Sequence, residues 1–151
     1  MKELSPAKQW DSFLARFNPE IVALIKASLT RLRKRLPGAV ELVYDNFNAL
    51  VIGFGPTERA SDAVFSLAIY PKWANLFFLR GAKLEDPNRL LKGSGHQVRH
   101  LRLSDPALLD AFGVRDLMDT ALALSPKAID PRARRRMVIK AISAKQRPRR
   151  P

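Results

Sequence analysis

Apolar residues recur at helical spacing at the start of the chain, where Trp10, Phe13, Leu14 and Phe17 predict a helix over Pro6 to Phe17. Asn18-Pro19 then supplies a cap and a proline at the first position of a second helix. Ile21, Leu24, Ile25, Leu29, Leu32 and Leu36 form its stripe, and it stops at Pro37-Gly38. Arg31, Arg33, Lys34 and Arg35 crowd its last turn, where cations complement the negative helix end. After Gly38 the period falls to two. Four strands follow, VELVYD (Val40 to Asp45), ALVIGFG (Ala49 to Gly55), AVFSLAIY (Ala63 to Tyr70) and WANLFFLRG (Trp73 to Gly81). Their connections are short enough for hairpins, so the strands are expected to form an antiparallel meander.

The loop from Ala82 to Gly95 leads to a fifth strand, HQVRHLRLS. Asp105-Pro106 then opens a helix with Leu108, Leu109 and Phe112 facing inward, and Gly113 is expected to break it before Leu117, Met118, Ala121 and Leu122 continue the pattern. A last helix is expected after Asp130-Pro131, over RARRRMVIKAISAK, with Met137, Val138, Ala141 and Ile142 as its stripe. The expected fold class is α+β, an antiparallel meander of about five strands packed by N- and C-terminal helices. Residues 1–125 are expected to form the domain, and residues 126–151 a basic C-terminal helix and tail. Without a βαβ unit the doubly wound nucleotide folds are excluded.

Charge changes this picture mainly at the C-terminal end. Net charge is +13, and from Pro126 to Pro151 ten Lys or Arg face the single acid Asp130, a balance of +9 that leaves +4 for residues 1–125. Arg132, Arg134, Arg135, Arg136 and Lys140 therefore become candidates for nucleic-acid contact, with a solvated, partly disordered end as the plainer alternative. No cysteine is present, which removes disulfides and thiolate chemistry and fits a cytoplasmic protein. MKELSPAKQW has no apolar run after its lysine and no apolar stretch is long enough to span a bilayer, so neither a signal peptide nor a membrane span is expected.

The phrases ELVYDNFNALVIGFG and AIYPKWANLFFLRGAKLEDPNRLLKGSGHQVRHLRL, with LMDTALAL in the closing helix, resemble the YdhG-like bacterial domains, a family of unknown function. The likeness covers roughly residues 20–124. It implies a curved antiparallel sheet packed by terminal helices, similar to the frataxin-like fold, and a role in iron delivery has been proposed for some relatives. Such iron binding relies on an acidic surface, from which this strongly basic chain departs.

Candidate chemistry gathers in two places. Gly93-Ser94-Gly95, with Lys92, Arg99 and Arg102, could form a nest of backbone N–H groups for an anion. The loop lacks the GxxxxGK[ST] pattern and runs into a strand, so the adopted reading is a sharp turn in which the glycines supply positive φ. His96 and His100 on a strand stand about 13 Å apart, too far to share a metal, and no metal or other cofactor is assigned. His100 shares the face of Val98 and Arg102, opposite Leu101 and Leu103. The strand from Trp73 is apolar on both faces, so the face left by the helices would carry Trp73 or Phe78 near Tyr44, with Asn75 beside Trp73 in the alternation. That face could be a small-ligand cleft or the interface of a homodimer. Carboxylates such as Glu85-Asp86 or Asp116 with Asp119 are read as solvating groups.

No nucleophile and base are patterned for a reaction, so no enzyme activity is assigned. The expected function is a non-catalytic binding domain for an anionic partner or small ligand, with a basic tail that contacts nucleic acid. The alternatives are an iron-delivery protein and an enzyme using the open-face cleft.

Overall fold

The computed structural model describes residues 4–151. Helix α1 (Pro6–Leu14) begins where the Ser5 hydroxyl accepts the Lys8 N–H at 3.3 Å and Pro6 takes the first turn. Helix α2 (Pro19–Arg35) starts with Pro19 and Glu20 and ends with Arg33, Lys34 and Arg35 in its last turn. Strands β1 (Val40–Asp45), β2 (Leu50–Gly55), β3 (Phe65–Ile69), β4 (Ala74–Phe78) and β5 (Arg99–Arg102) pair antiparallel in sequence order. A 3-10 turn (Pro106–Asp110) and helix α3 (Phe112–Leu124) follow. No helix among the described residues is long and apolar enough to cross a membrane.

The fold is α+β, as expected, but the sheet is a mixed one of six strands, ordered β5-β4-β3-β2-β1-β6. The segment expected as a C-terminal helix is strand β6 (Arg136–Ile142), lying parallel to β1 on its outer side. Met137, Val138 and Ile139 are a short apolar run that fits either period, and the unpaired edge of β1 decides in favour of the strand. Residues 126–151 therefore complete the sheet. The register slips by one residue between Val43 and Tyr44, where a bulge leaves Lys140 without a partner on β1. Gly38 at φ 82° sits where this segment returns, and a Cβ there would collide with the Asp130 carbonyl.

One row across the sheet shows how the core is built. Val43, Ile52, Leu67, Leu76 and Leu101 stand side by side on five strands, and each is at most 6% exposed beneath the helices. Full burial of a side chain of this size contributes ~1.5–3 kcal/mol. Trp10, Leu14 and Phe17 from the first helical segment and Ile25, Leu29 and Leu32 from α2 cover this face. Phe112 does not join them. It is 80% exposed, because the chain breaks at Ala111 and Gly113 lies inside the first turn of α3.

Two carboxylates lie on the same covered face of β1. Glu41 is held by Arg33 of α2 at 2.9 Å and by Arg135 just before β6 at 3.4 Å. Asp45 is held by Arg16 after α1 at 2.7 Å and by Arg149 beyond β6 at 2.9 Å. Each acid thus joins one arginine of the helical layer to one of the C-terminal segment.

Candidate functional site

The neighbouring row points the other way. Tyr44, Val51, Ala68, Asn75 and Arg102 are in register across β1 to β5, on the face that no helix covers. Tyr44 and Asn75 stand three strand spacings apart, ~14 Å, and the short side chains of Val51 and Ala68 make a shallow floor between them. Near the other end of β1 the loop between β2 and β3 folds over the face, where Gly53 and Gly55 leave room for Ala63. The more open part is the end that carries Asn75 and Arg102.

Trp73 continues the face of Asn75 just before β4. Its ring stacks on Tyr70 at 5.0 Å and 22°, and the guanidinium of Arg102 lies 5.2 Å over it. The stack follows from the tight Pro71-Lys72 connection, closed by Tyr70 N–H donating to the Trp73 carbonyl at 2.8 Å. Farther along the same face Phe77 meets His100, with ring centroids 5.1 Å apart. The Tyr44 hydroxyl is buried with no hydrogen-bond partner among the described residues, and burial raises its pKa above the usual tyrosine value.

A groove of about 840 Å³ opens beside Trp73, lined by Asn48, Tyr70, Pro71, Lys72, Trp73, Arg147, Pro148, Arg150 and Pro151. Among the described residues its lining carries three cationic side chains and no acidic one. Arg147 lies over the Phe47 ring at 5.5 Å, and Arg150 donates to the Arg16 carbonyl at 3.1 Å, so the chain after β6 is held in place as a wall. Trp73 belongs to both groove and sheet face.

The residues singled out in the sequence fall into separate places. Tyr44, Trp73, Asn75 and Arg102 share the open face, and His100 lies farther down it beside Phe77. Lys92, Gly93, Ser94, Gly95 and Arg99 gather instead around the outer edge of β5, where Lys92 and His100 exchange backbone hydrogen bonds at 2.7 and 2.9 Å. Arg99 faces the helical side, paired with Phe78, and donates to the carbonyls of Gly95 and Val98 at 2.6 and 2.8 Å. The turn reading needed positive φ at both glycines. Gly93 has it, at 120°, whereas Gly95 does not and a Cβ there would meet nothing within 4 Å.

The cations of the C-terminal segment are largely engaged within the protein. Arg135 pairs with Glu41 and Arg136 with Glu58, while Lys140 donates to the Glu58 carbonyl at 3.1 Å. Arg132 and Arg134 are exposed on the turn before β6. Sequence reasoning missed Lys72, Arg147 and Arg150 as one group, because only the parallel return of the chain brings positions 147–150 beside the hairpin at position 72. It also gave Glu41 and Asp45 no role, although acids in an otherwise apolar strand signal buried ion pairs. Among the described residues no group of three or more His, Cys, Asp or Glu is placed to hold a metal ion. No protein-family profile matches this chain, and no curated protein or solved structure matches it either.

Proposed function

We propose that the protein is a binding domain for an anionic partner, engaged on the open sheet face and the groove beside it. One observation carries this reading: Lys72, Arg102, Arg147 and Arg150 surround a half-buried tryptophan, with no acidic side chain in the groove lining to neutralise them. Cations left unpaired beside a concave surface attract anions from solution and hold them at short range. The likeness to YdhG-like domains belongs to the same proposal, supported by the fact that its two sequence blocks fall on the β1–β2 hairpin and on the stretch from the end of β3 through β5. So does the frataxin-like description, from which the parallel β6 is a departure. The iron-delivery alternative gains no observation of its own, since the buried carboxylates of β1 are each occupied by two arginines.

Intrinsic fluorescence tests the proposal, because Trp10 is 4% exposed and Trp73 is the tryptophan that borders the groove. Titration with inorganic polyphosphate is expected to give a saturable change. A variant combining Lys72→Ala, Arg147→Ala and Arg150→Ala is expected to lose that change while still melting cooperatively. Equal binding by this variant would place the anion elsewhere.

A further inference from the structure

We infer that the anionic partner is a single-stranded nucleic acid whose bases stack at Trp73 and whose phosphates meet the surrounding cations. The inference rests on the anionic-partner reading and adds the chemistry of the ligand. A bare anion has no use for a stacked aromatic column, and the open face presents one at Tyr70, Trp73 and Arg102. A base extends that column by lying on the guanidinium plane of Arg102 or on the ring beneath it, as unpaired bases do on sheet surfaces.

A second aromatic pair, Phe77 with His100, tilted at 36°, lies on the same face four residues beyond Trp73, ~13 Å from it. Two aromatic stations in line fit a chain of bases better than a mononucleotide. The charges complement this arrangement: Lys72, Arg147 and Arg150 stand on the groove side of the column and Arg102 on the sheet side. Bases stacked within a duplex would have no free face to offer these rings, so the strand must be single. An acidic peptide would satisfy the cations but leave both aromatic stations unused.

Fluorescence anisotropy of a labelled oligouridylate tests this with the full chain, against inorganic polyphosphate and polyglutamate as anions without bases. With Lys72, Arg147 and Arg150 on phosphates and Arg102 against a base, affinity is expected to fall about 20-fold between about 50 and 200 mM salt. Trp73→Ala is expected to weaken oligouridylate about 10-fold and leave polyphosphate unchanged, with Trp73→Phe recovering part of the loss. Arg102→Ala, at an exposed position, provides a second variant should Trp73→Ala fail to melt cooperatively. A duplex is expected to bind more weakly than the single strand. If polyphosphate or polyglutamate binds as tightly as oligouridylate and Trp73→Ala, Trp73→Phe and Arg102→Ala discriminate nothing, the nucleic-acid inference is overturned and the anionic-partner reading stands. If no anion binds at about 50 mM salt to the folded protein, both are overturned.

Discussion

Two sets of arginines in this protein have the same chemistry and opposite surroundings. Arg33 and Arg135 close on Glu41, and Arg16 and Arg149 close on Asp45, both acids being at most 1% exposed. Arg102, Arg147 and Arg150, joined by Lys72, surround Trp73 with no acidic side chain among the described residues of the groove lining. The first set holds the C-terminal segment to β1 and to the helices; the second makes no ion pair among the described residues. Formal charge alone does not separate them. What separates them is where the acids stand, and both β1 acids stand on the covered face.

The largest test of this contrast is to end the chain after Ser125. The sequence alone suggested that such a fragment would fold normally. With β6 gone, Glu41 and Asp45 each lose one of two arginines and the edge of β1 is bared, so most of the ~5–15 kcal/mol typical of a domain is expected to disappear. Thermal melting followed by circular dichroism should show no cooperative transition. A sharp melt close to that of the full chain would return residues 126–151 to the status of an appendage.

A single change should cost less. Asp45→Ala leaves the Arg149 guanidinium, whose side chain is 2% exposed, buried without its carboxylate, and a loss of ~3–5 kcal/mol is expected in urea unfolding. Arg136→Ala removes an exposed pair with Glu58 and is expected to cost ~1 kcal/mol or less. Equal losses from the two substitutions would erase the distinction between buried clamps and surface pairs.

The smallest effect lies at the solvent-exposed end of the paired set. The Thr57 hydroxyl donates to Asp62 at 2.6 Å and chiefly accounts for a carboxyl pKa held below the usual aspartate value, with Lys127 at 3.3 Å adding to it. The folded state therefore favours the ionised form. Its contribution is complete above the ordinary aspartate pKa and is lost as pH falls through the lower folded value. Thr57→Ala is expected to move the Asp62 midpoint upward in an NMR titration, with little change in melting temperature at neutral pH.

Much of the fold was legible because periodicity reports which face is buried. The five antiparallel strands, α1 and α2 follow from alternation and helical spacing. Two elements resisted for a common reason, which is that neighbours distant in sequence decide them. Residues 136–142 carry a pattern that suits helix or strand, and the free edge of β1 settles it. Phe112 looked like a core position until the break fell at Ala111. The candidate site divides the same way. Counting in twos places Asn75 with Trp73 and Arg102 with His100 within each strand, while the sheet register that brings them into line with Tyr44, and the return path that brings Arg147 and Arg150 to Lys72, needed the structure. The acids of β1 were the available clue that the basic segment would come home to the sheet.

That return path also sets an order of events during synthesis. Val40 pairs in parallel with Arg136, so the outer neighbour of β1 leaves the ribosome long after β1 itself. Until then the five-stranded meander has an open edge, and two carboxylates on the face that must become dry each wait for a second arginine. Such long-range closure is slow, and an exposed edge beside an incomplete charge cluster can be answered by the β6 of another copy as well as by its own. Crowded expression should therefore yield strand-exchanged dimers of this protein, and slower translation of residues 126–142 should not cure them.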